Sequence, residues 1–187
     1  MSTTTAAAPV TVTTWNVDPV HSMAEFRVRH LMISHVRGRF TGVTGKLTYD
    51  STDIAKSRVD ASIDVATIDT RDPQRDTHLK SPDFFDVEKF PTLTFSASRV
   101  TRKADGLLLV AGPLSIHGVT REVEFTVEGP TPPVKDPWGN TRVGVSASTK
   151  IDRREFGLNF NATLETGGVM VGEEVSITLE LEFVQAA

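Results

Sequence analysis

The feature that most constrains this chain is an alternation of apolar and polar residues with a period of two. It is clearest over residues 175–183, where every second residue is apolar and the residues between are Ser, Thr or Glu. Successive side chains of a strand point to opposite faces, so such a row predicts a strand with one buried face. Comparable rows cover residues 26–30, 36–40, 59–65, 93–97, 123–127 and 143–149.

These rows predict an all-β, antiparallel protein of roughly nine or ten strands. Each strand must hide its apolar face, and a sandwich of two sheets or a closed barrel would do so. An eight-stranded barrel has an interior just wide enough for packed side chains or one small ligand. The alternation alone does not choose between the two architectures.

The segments between these rows contain residues that favour turns and loops. Residues 104–106 (Ala-Asp-Gly) and residues 117–118 (His-Gly) predict tight hairpin connections. Residues 130–140, which are rich in Pro and Gly, predict a longer loop.

One segment, residues 72–81, predicts a short helix. Asp72 can cap it, Pro73 fits its first turn, and Pro82 stops it. A second helical turn is predicted over residues 152–157, because an Asp at its start is followed three residues later by a Glu and then by a Gly.

The composition agrees with a single globular domain. The 187 residues, 39% hydrophobic and 24% charged, can bury a sizeable core. The net charge of -4 disfavours a nucleic-acid partner, which usually leaves a basic face, and it disfavours docking on an anionic membrane by charge alone. No apolar run is long enough to span a bilayer, so no membrane span is predicted.

The N-terminal residues are mostly Thr and Ala, and they lack the basic start and apolar stretch of a secretory signal. We therefore expect a disordered tail over residues 1–10, a single domain over residues 11–187, and a cytoplasmic location. The absence of cysteine rules out disulfides and thiolate sites.

Several motifs occur in a fixed order along the chain. They are Asp18-Pro19-Val20-His21-Ser22, Phe26-Arg27-Val28-Arg29-His30, Ser34-His35-Val36-Arg37-Gly38-Arg39-Phe40, Arg75-Asp76-Thr77-His78-Leu79-Lys80-Ser81-Pro82-Asp83-Phe84-Phe85-Asp86, Phe90-Pro91-Thr92-Leu93-Thr94-Phe95, Ile116-His117-Gly118-Val119-Thr120-Arg121, Asp136-Pro137-Trp138-Gly139, Asp152-Arg153-Arg154-Glu155-Phe156-Gly157-Leu158 and Leu164-Glu165-Thr166-Gly167-Gly168. In this order they closely resemble the YceI-like family of polyisoprenoid-binding proteins. The resemblance covers nearly everything from Trp15 to Phe183.

The resemblance implies a lipocalin-like antiparallel β-barrel of about eight strands with an elongated lipid cavity. It also implies ligands such as isoprenoid quinones, polyprenyl chains or long fatty-acyl amides, with no further cofactor required. Many members of the family carry an export signal, whereas this chain shows none.

The candidate ligand-binding residues are mostly inward-facing aromatic and aliphatic side chains, joined by three polar residues. They are Phe26, Val28, His30, Val36, Phe40, Arg75, His78, Phe84, Phe85, Phe95, Phe125, Val145, Phe156, Leu158, Phe160, Leu179 and Leu181. From the residues alone, a solid barrel core is as good an interpretation as a cavity. The family resemblance favours the cavity.

Each polar candidate has a structural alternative. His30 continues the inward row of Phe26 and Val28, and it is either a hydrogen-bonded core histidine or a contact to a ligand headgroup. Arg75 and His78 share one helical face, where they either support a salt-bridged helix that closes the barrel or clamp a headgroup at the cavity mouth.

The sequence predicts no metal site and no catalytic residue. His30 and His35 are separated by an apparent break, and no His-Glu-x-x-His pattern exists. Asp18 with His21, or Asp69 with His78, could form an acid–base pair that isomerises or cyclises a bound isoprenoid, but the sequence shows no base placed against a substrate.

We therefore expect a non-catalytic lipid-binding protein that carries, stores or shields its ligand. The alternatives are that enzyme and an interaction module with a filled core. Edge strands beside the barrel could also pair into a homodimer.

Overall fold

The computed structural model describes residues 12–163 and 169–186. The predicted tail over residues 1–10 lies outside the described residues, and so does the motif at residues 164–168. The strands are β1 Val12–Val17, β2 Met23–His30, β3 Ser34–Phe40, β4 Val43–Asp50, β5 Arg58–Asp64, β6 Ile68–Asp69, β7 Thr92–Ser96, β8 Arg99–Arg102, β9 Leu108–Ile116, β10 Val119–Glu128, β11 Val134–Lys135, β12 Thr141–Asp152 and β13 Val171–Gln185. The helix α1 spans Pro73–Lys80, and 3-10 turns span Ile54–Lys56, Val65–Thr67 and Arg153–Phe156.

Eight of these strands form a closed antiparallel barrel, which confirms the predicted lipocalin-like fold. Their order is β12-β10-β9-β7-β5-β4-β1-β13, and the pairing of β13 with β12 closes the ring. Closure removes the free edges that an open sheet would present. The alternative of two stacked sheets is therefore wrong.

The length of β13 makes this closure possible. One side of the strand pairs with β12 over most of its 15 residues. The other side pairs with β2 near the start of β13, as at Ser176 and Arg27, and with β1 near its end, as at Val184 and Asn16. The β2–β3 hairpin therefore extends from the barrel wall, and its second strand makes a short pairing with β6.

The local predictions for the helical segments are confirmed. The Asp72 carboxylate accepts hydrogen bonds from the backbone N–H groups of Gln74 and Arg75, both at 3.1 Å, and α1 ends at Lys80, before Pro82. The second helical turn is a 3-10 turn over Arg153–Phe156, capped by Asp152, and Gly157 closes it in the left-handed conformation.

The two predicted hairpin connections are also present. Residues 103–107 connect β8 to β9, and residues 117–118 connect β9 to β10. His117 and Gly118 have φ angles of 51° and 73°, as a two-residue turn between twisted strands requires.

Two ends of the barrel can be distinguished. The helix end carries α1, the 3-10 turn Arg153–Phe156 and the connection at residues 31–33 between β2 and β3. The far end carries the 3-10 turn Ile54–Lys56 and the loop at residues 130–140. The apolar faces of the strands meet between these two ends and form the core.

Candidate functional site

An apolar cavity of about 370 Å³ lies inside the barrel. At the far end it is lined by Ile54, Val59 and Pro130, and at the helix end by Phe84 and Phe160. Strand residues of the inward parity line the wall between them, because alternation turns every second side chain to the interior.

All of the candidate ligand-binding residues except Phe156 line this cavity. Phe156 is 0% exposed and packs in the core cluster that also contains Leu158. It ends a 3-10 turn, where side chains do not alternate as they do in a strand, so its orientation could not be deduced from parity. The assignment of Phe156 to the ligand-binding wall is therefore wrong.

The aromatic candidates contact one another along the wall. The Phe40 ring lies 5.8 Å from Phe26 and 5.9 Å from Phe85, and Phe95 meets Phe125 edge-on at 5.1 Å, each measured between ring centroids. Gly38 allows the Phe26 ring to cross strand β3, since a Cβ at Gly38 would lie 2.3 Å from the ring. The wall thus carries two groups of aromatic rings in contact, Phe26–Phe40–Phe85 and Phe95–Phe125.

His30 is the last residue of β2, and it is half-buried at the helix end of the cavity. None of the residues that the structure describes forms a hydrogen bond with its imidazole ring. A hydrogen-bonded core histidine needs a partner for its imidazole, and those residues provide none for His30. His35 belongs to the opposite face of the β2–β3 hairpin, so the two histidines do not converge on a metal.

Arg75 makes the contacts that a structural role predicts, although it also lines the cavity. Its Nε donates to Thr70 Oγ1 at 2.7 Å, and its Nη2 donates to the Thr70 carbonyl at 2.8 Å. Its Nη1 lies 3.7 Å from the Asp72 carboxylate. Arg75 therefore fastens the start of α1 to the segment that precedes it.

His78 is held by contacts on α1 and the segments around it. Its Nε2 lies 2.9 Å from Asp83 Oδ2, and its ring meets Phe84 and Phe160 edge-on. The suggested acid–base pair of His78 with Asp69 is wrong, because Asp69 instead accepts from Arg39.

Arg153 is a cavity-lining residue that sequence reasoning missed. It is only 5% exposed, yet its hydrogen bonds go to carbonyl oxygens: Nε donates to Gly172 at 2.8 Å, Nη2 to Val171 at 3.3 Å, and Nη1 to Leu158. No ion pair joins it to a carboxylate within the described ranges. Burial lowers the pKa of Arg153, because the charged form has lost water.

The helix end of the cavity therefore contains a buried positive charge whose hydrogen bonds, among the described residues, go to backbone carbonyls. Its signal in the sequence was the Asp-Arg-Arg-Glu run, which reads equally well as a capped turn on the surface.

The Asp18–His21 pair suggested for catalysis does form, with 3.0 Å between the carboxylate and Nδ1, but neither residue lines the cavity. Together with Glu182 these residues bring ligand atoms within 4.8 Å of one another, as a metal site would. Both carboxylates already accept hydrogen bonds from the Arg142 guanidinium, Asp18 at 2.6 Å and Glu182 at 2.5 Å, so an arginine stands where a metal ion would bind. The hydrogen bond from Arg142, with that from His21, holds the pKa of Asp18 well below its usual range.

A closed eight-stranded antiparallel barrel around an elongated apolar cavity defines a lipocalin-like class of protein. The sequence profile described as "YceI-like domain" matches residues 15–183. The chain therefore belongs to the YceI-like family, as its motifs indicate. In the described ranges, no helix has the length and apolar character needed to cross a membrane.

Individual relatives agree with this membership. A UPF0312 protein of Staphylococcus aureus strain N315 is 38% identical over 175 residues, which is 92% of this chain and 98% of that protein. The crystal structure of Burkholderia cenocepacia BcnA superposes with a TM-score of 0.75 at 22% identity, covering 89% of this chain and 98% of BcnA.

A polyisoprenoid binding domain from Saccharophagus degradans, implicated in plant cell wall breakdown, has a TM-score of 0.66 at 15% identity and covers 94% of this chain and 100% of that domain. At 22% and 15% identity, the similarity of BcnA and of the Saccharophagus degradans domain to this chain is a similarity of fold.

Proposed function

We propose that this chain is a non-catalytic lipid-binding protein that holds a long apolar isoprenoid, of the polyprenyl or isoprenoid quinone type, or a fatty-acyl amide. The observation that carries the proposal is the apolar cavity of about 370 Å³ inside the barrel. A flexible tail suits such a wall, because apolar burial is non-directional and contributes about 0.8 kcal/mol for each CH₂ group. The polyisoprenoid binding domain of Saccharophagus degradans has the same fold and supports this ligand class.

The volume limits how the ligand is held. The cavity lies near the lower limit of ligand pockets, which span about 300–1,000 Å³. Complete burial of about eight isoprene units would contribute more than about 30 kcal/mol, which exceeds the ceiling of about 20 kcal/mol on non-covalent affinity. We propose that part of a longer tail stays outside the barrel.

The polar end of the ligand belongs at the helix end. The imidazole of His30, which has no hydrogen-bond partner among the described residues, and the buried guanidinium of Arg153 both line the cavity there. Arg75 and His78 line the same end, but their donors are engaged by Thr70 and Asp83. We therefore assign the headgroup contact to His30 first.

We propose carriage, storage or shielding of the ligand rather than its conversion. The Asp18–His21 pair lies outside the cavity, so it cannot act on a molecule bound inside. The protein requires no further cofactor under this proposal, and we propose that it acts in the cytoplasm, as a monomer or as a homodimer formed through edge strands.

The test is organic extraction of the purified protein followed by mass spectrometry. A stoichiometric isoprenoid or acyl amide is the expected result. A protein that yields no lipid, and that neither binds nor retains an added isoprenoid quinone, would instead be an interaction module with a filled core. Conversion of the added quinone would show that the protein is an enzyme.

A further inference from the structure

The tip of the β2–β3 hairpin exposes apolar side chains at the helix end. Met32 is 56% exposed and Ile33 is 79% exposed. Leu31 and Met32 also have φ angles of 51° and 59°, in the left-handed region that costs energy for residues other than glycine. An exposed apolar tip with a strained backbone does not stabilise the barrel. Exposed apolar surface of this kind marks a site of contact with another molecule or with a membrane.

The outer face of the same hairpin is basic. Arg27 lies directly opposite Arg37, and Arg29 lies directly opposite His35. Like charges at such positions destabilise a sheet. Loss of water around the ring, together with the charges of the three arginines, lowers the pKa of His35.

The described residues offer these arginines no neutralising partner. The side chains of Arg27, Arg29 and Arg37 form no hydrogen bond or ion pair within residues 12–163 and 169–186. The acidic residues early in β13 are already engaged, Glu173 by Arg154 at 2.7 Å and Glu174 by Lys150 at 2.9 Å. A positive strip therefore stands out on a chain whose net charge is -4.

We propose that the β2–β3 hairpin docks this protein on a lipid bilayer that carries anionic headgroups. The tip residues Met32 and Ile33 enter the boundary between headgroups and acyl chains, while Arg27, Arg29 and Arg37 contact lipid phosphates. An apolar edge flanked by arginines is the pattern that binds a membrane interface. An acidic protein or a nucleic acid would use the arginines but leave the apolar tip in water.

The position of the tip relates docking to the cavity. His30, immediately before the tip, lines the helix end of the cavity, and the Leu31 N–H donates to the carbonyl of Met170, another lining residue, at 2.8 Å. Docking therefore brings this end of the cavity to the bilayer surface. The inference goes beyond the proposed function, and it holds for any ligand in the cavity.

Vesicle flotation tests the proposal on the full chain. The vesicles contain phosphatidylcholine alone or an equimolar mixture with phosphatidylglycerol. We expect binding to the mixed vesicles, weaker binding as salt rises, and little binding to phosphatidylcholine. Met32→Ser with Ile33→Ser should weaken binding at least about tenfold, and Arg27→Gln and Arg37→Gln should weaken it about fivefold each.

Trp138→Ser is the matched control, because Trp138 is 81% exposed at the far end, away from the basic strip. It should leave binding unchanged. Failure of the wild-type protein to bind the mixed vesicles would overturn the proposal, as would equal losses in the Trp138 and tip variants. Loss in the arginine variants without loss in the tip variant would also overturn it, and would indicate a surface for a polyanion instead.

Lipid extraction from the same variants separates this proposal from the proposed function. Variants that lose vesicle binding should still release as much bound lipid as the wild-type protein. Melting temperatures should also stay close to that of the wild-type protein, since all of the substituted side chains are exposed.

Discussion

Arg142 at the far end of the barrel and Arg153 at the helix end have different kinds of partner. At the far end, Arg142 lies within 2.7 Å of carboxylate oxygens of Asp18, Asp136 and Glu182. At the helix end, the described partners of the Arg153 guanidinium are backbone carbonyls. The side chains of Arg27, Arg29 and Arg37 on the β2–β3 hairpin have no partner among the described residues, whereas Arg39 of the same hairpin pairs with Asp69.

This difference supports a structural role for the far end and the binding role that we propose for the helix end. At the far end, one ion-paired cluster joins β12, β13, the loop at residues 130–140 and Asp18, which follows β1, so the charge of Arg142 is balanced within the fold. The helix end retains positive charge and an imidazole without described partners, next to the cavity and an exposed apolar tip. We expect ligands and surfaces to bind at the helix end, where His30 and the three hairpin arginines have no side-chain partner among the described residues.

The largest effect is expected from Arg153→Met. The substitution leaves the carbonyls of Leu158, Val171 and Gly172 without their buried donor, and each such loss costs about 1–3 kcal/mol. Relief of the buried charge offsets part of this, so we expect a net loss of about 2–4 kcal/mol. Urea unfolding measures it. An unchanged midpoint would show that Arg153 does not hold the strand ends together.

A smaller effect, on ligand affinity, is expected from His30→Leu. Removing a donor or acceptor that contacts a headgroup costs about 1–3 kcal/mol, which is roughly a tenfold to hundredfold change in affinity. A quinone or amide should therefore be weakened more than a hydrocarbon of equal length. Arg75→Ala is the comparison, because its bonds to Thr70 predict lost stability rather than lost selectivity. Equal losses for both ligand types in the His30 variant would assign His30 to the fold.

Phe40→Trp distinguishes a cavity wall from a solid core. Phe40 lines the cavity and contacts Phe26 and Phe85, so a larger ring should fill ligand space and weaken lipid retention. In a solid core the same change would cost about 1–3 kcal/mol of stability. Lipid retention and thermal unfolding are measured together. Intact retention with a large stability loss would favour the solid core.

The far end should respond to acid. Burial raises the pKa of Asp136, but hydrogen bonds from Asn140 and Arg142 outweigh it and lower the pKa to about 2. The pKa of Asp18 is lowered as well. Carboxyls with depressed pKa values stabilise the fold above about pH 4, the value of an unfolded Asp, and that stability is lost as pH falls toward 2.

Arg142→Met should therefore lower the melting temperature at pH 7 and flatten its fall between about pH 4 and pH 2. Lys150→Met, which breaks an exposed pair with Glu174, serves as the control and should leave the acid profile unchanged. The same steep acid profile in the Arg142 variant and in the wild-type protein would remove this cluster as its cause.

The smallest effect is expected from the double variant Arg27→Gln with Arg37→Gln. Replacing two like charges that lie directly opposite each other should keep or slightly raise stability, by roughly 0.2–1 kcal/mol. A clear loss of stability would mean that these arginines support the sheet. Chemical unfolding at low salt shows the effect most clearly, since salt screens the repulsion.

Much of the site could be predicted because it lies on regular strands. Phe26, Phe40 and Leu179 follow the alternation, and each lines the cavity. The alternation could also have identified Leu47, Val59 and Ile177. These residues occupy inward-facing positions of their strands and line the same cavity. Phe156 and Arg153 lie in a 3-10 turn, where parity does not apply. Phe156 was therefore assigned to the cavity wall, and Arg153 was not identified as a lining residue.

The sequence by itself determined the strands that carry the alternating rows, the two-residue turn at His117-Gly118 and the capped helix Pro73–Lys80, because each depends on residues within a few positions of one another. Only the tertiary structure decided the closed barrel, in which β13 pairs with β12, β2 and β1. It also decided which arginines are neutralised: Arg142 meets Asp18 across 124 positions, and Arg153 meets carbonyls of β13 across 18 and 19. Contacts between such distant positions depend on how the strands are arranged around the barrel, and alternation carries no information about that arrangement.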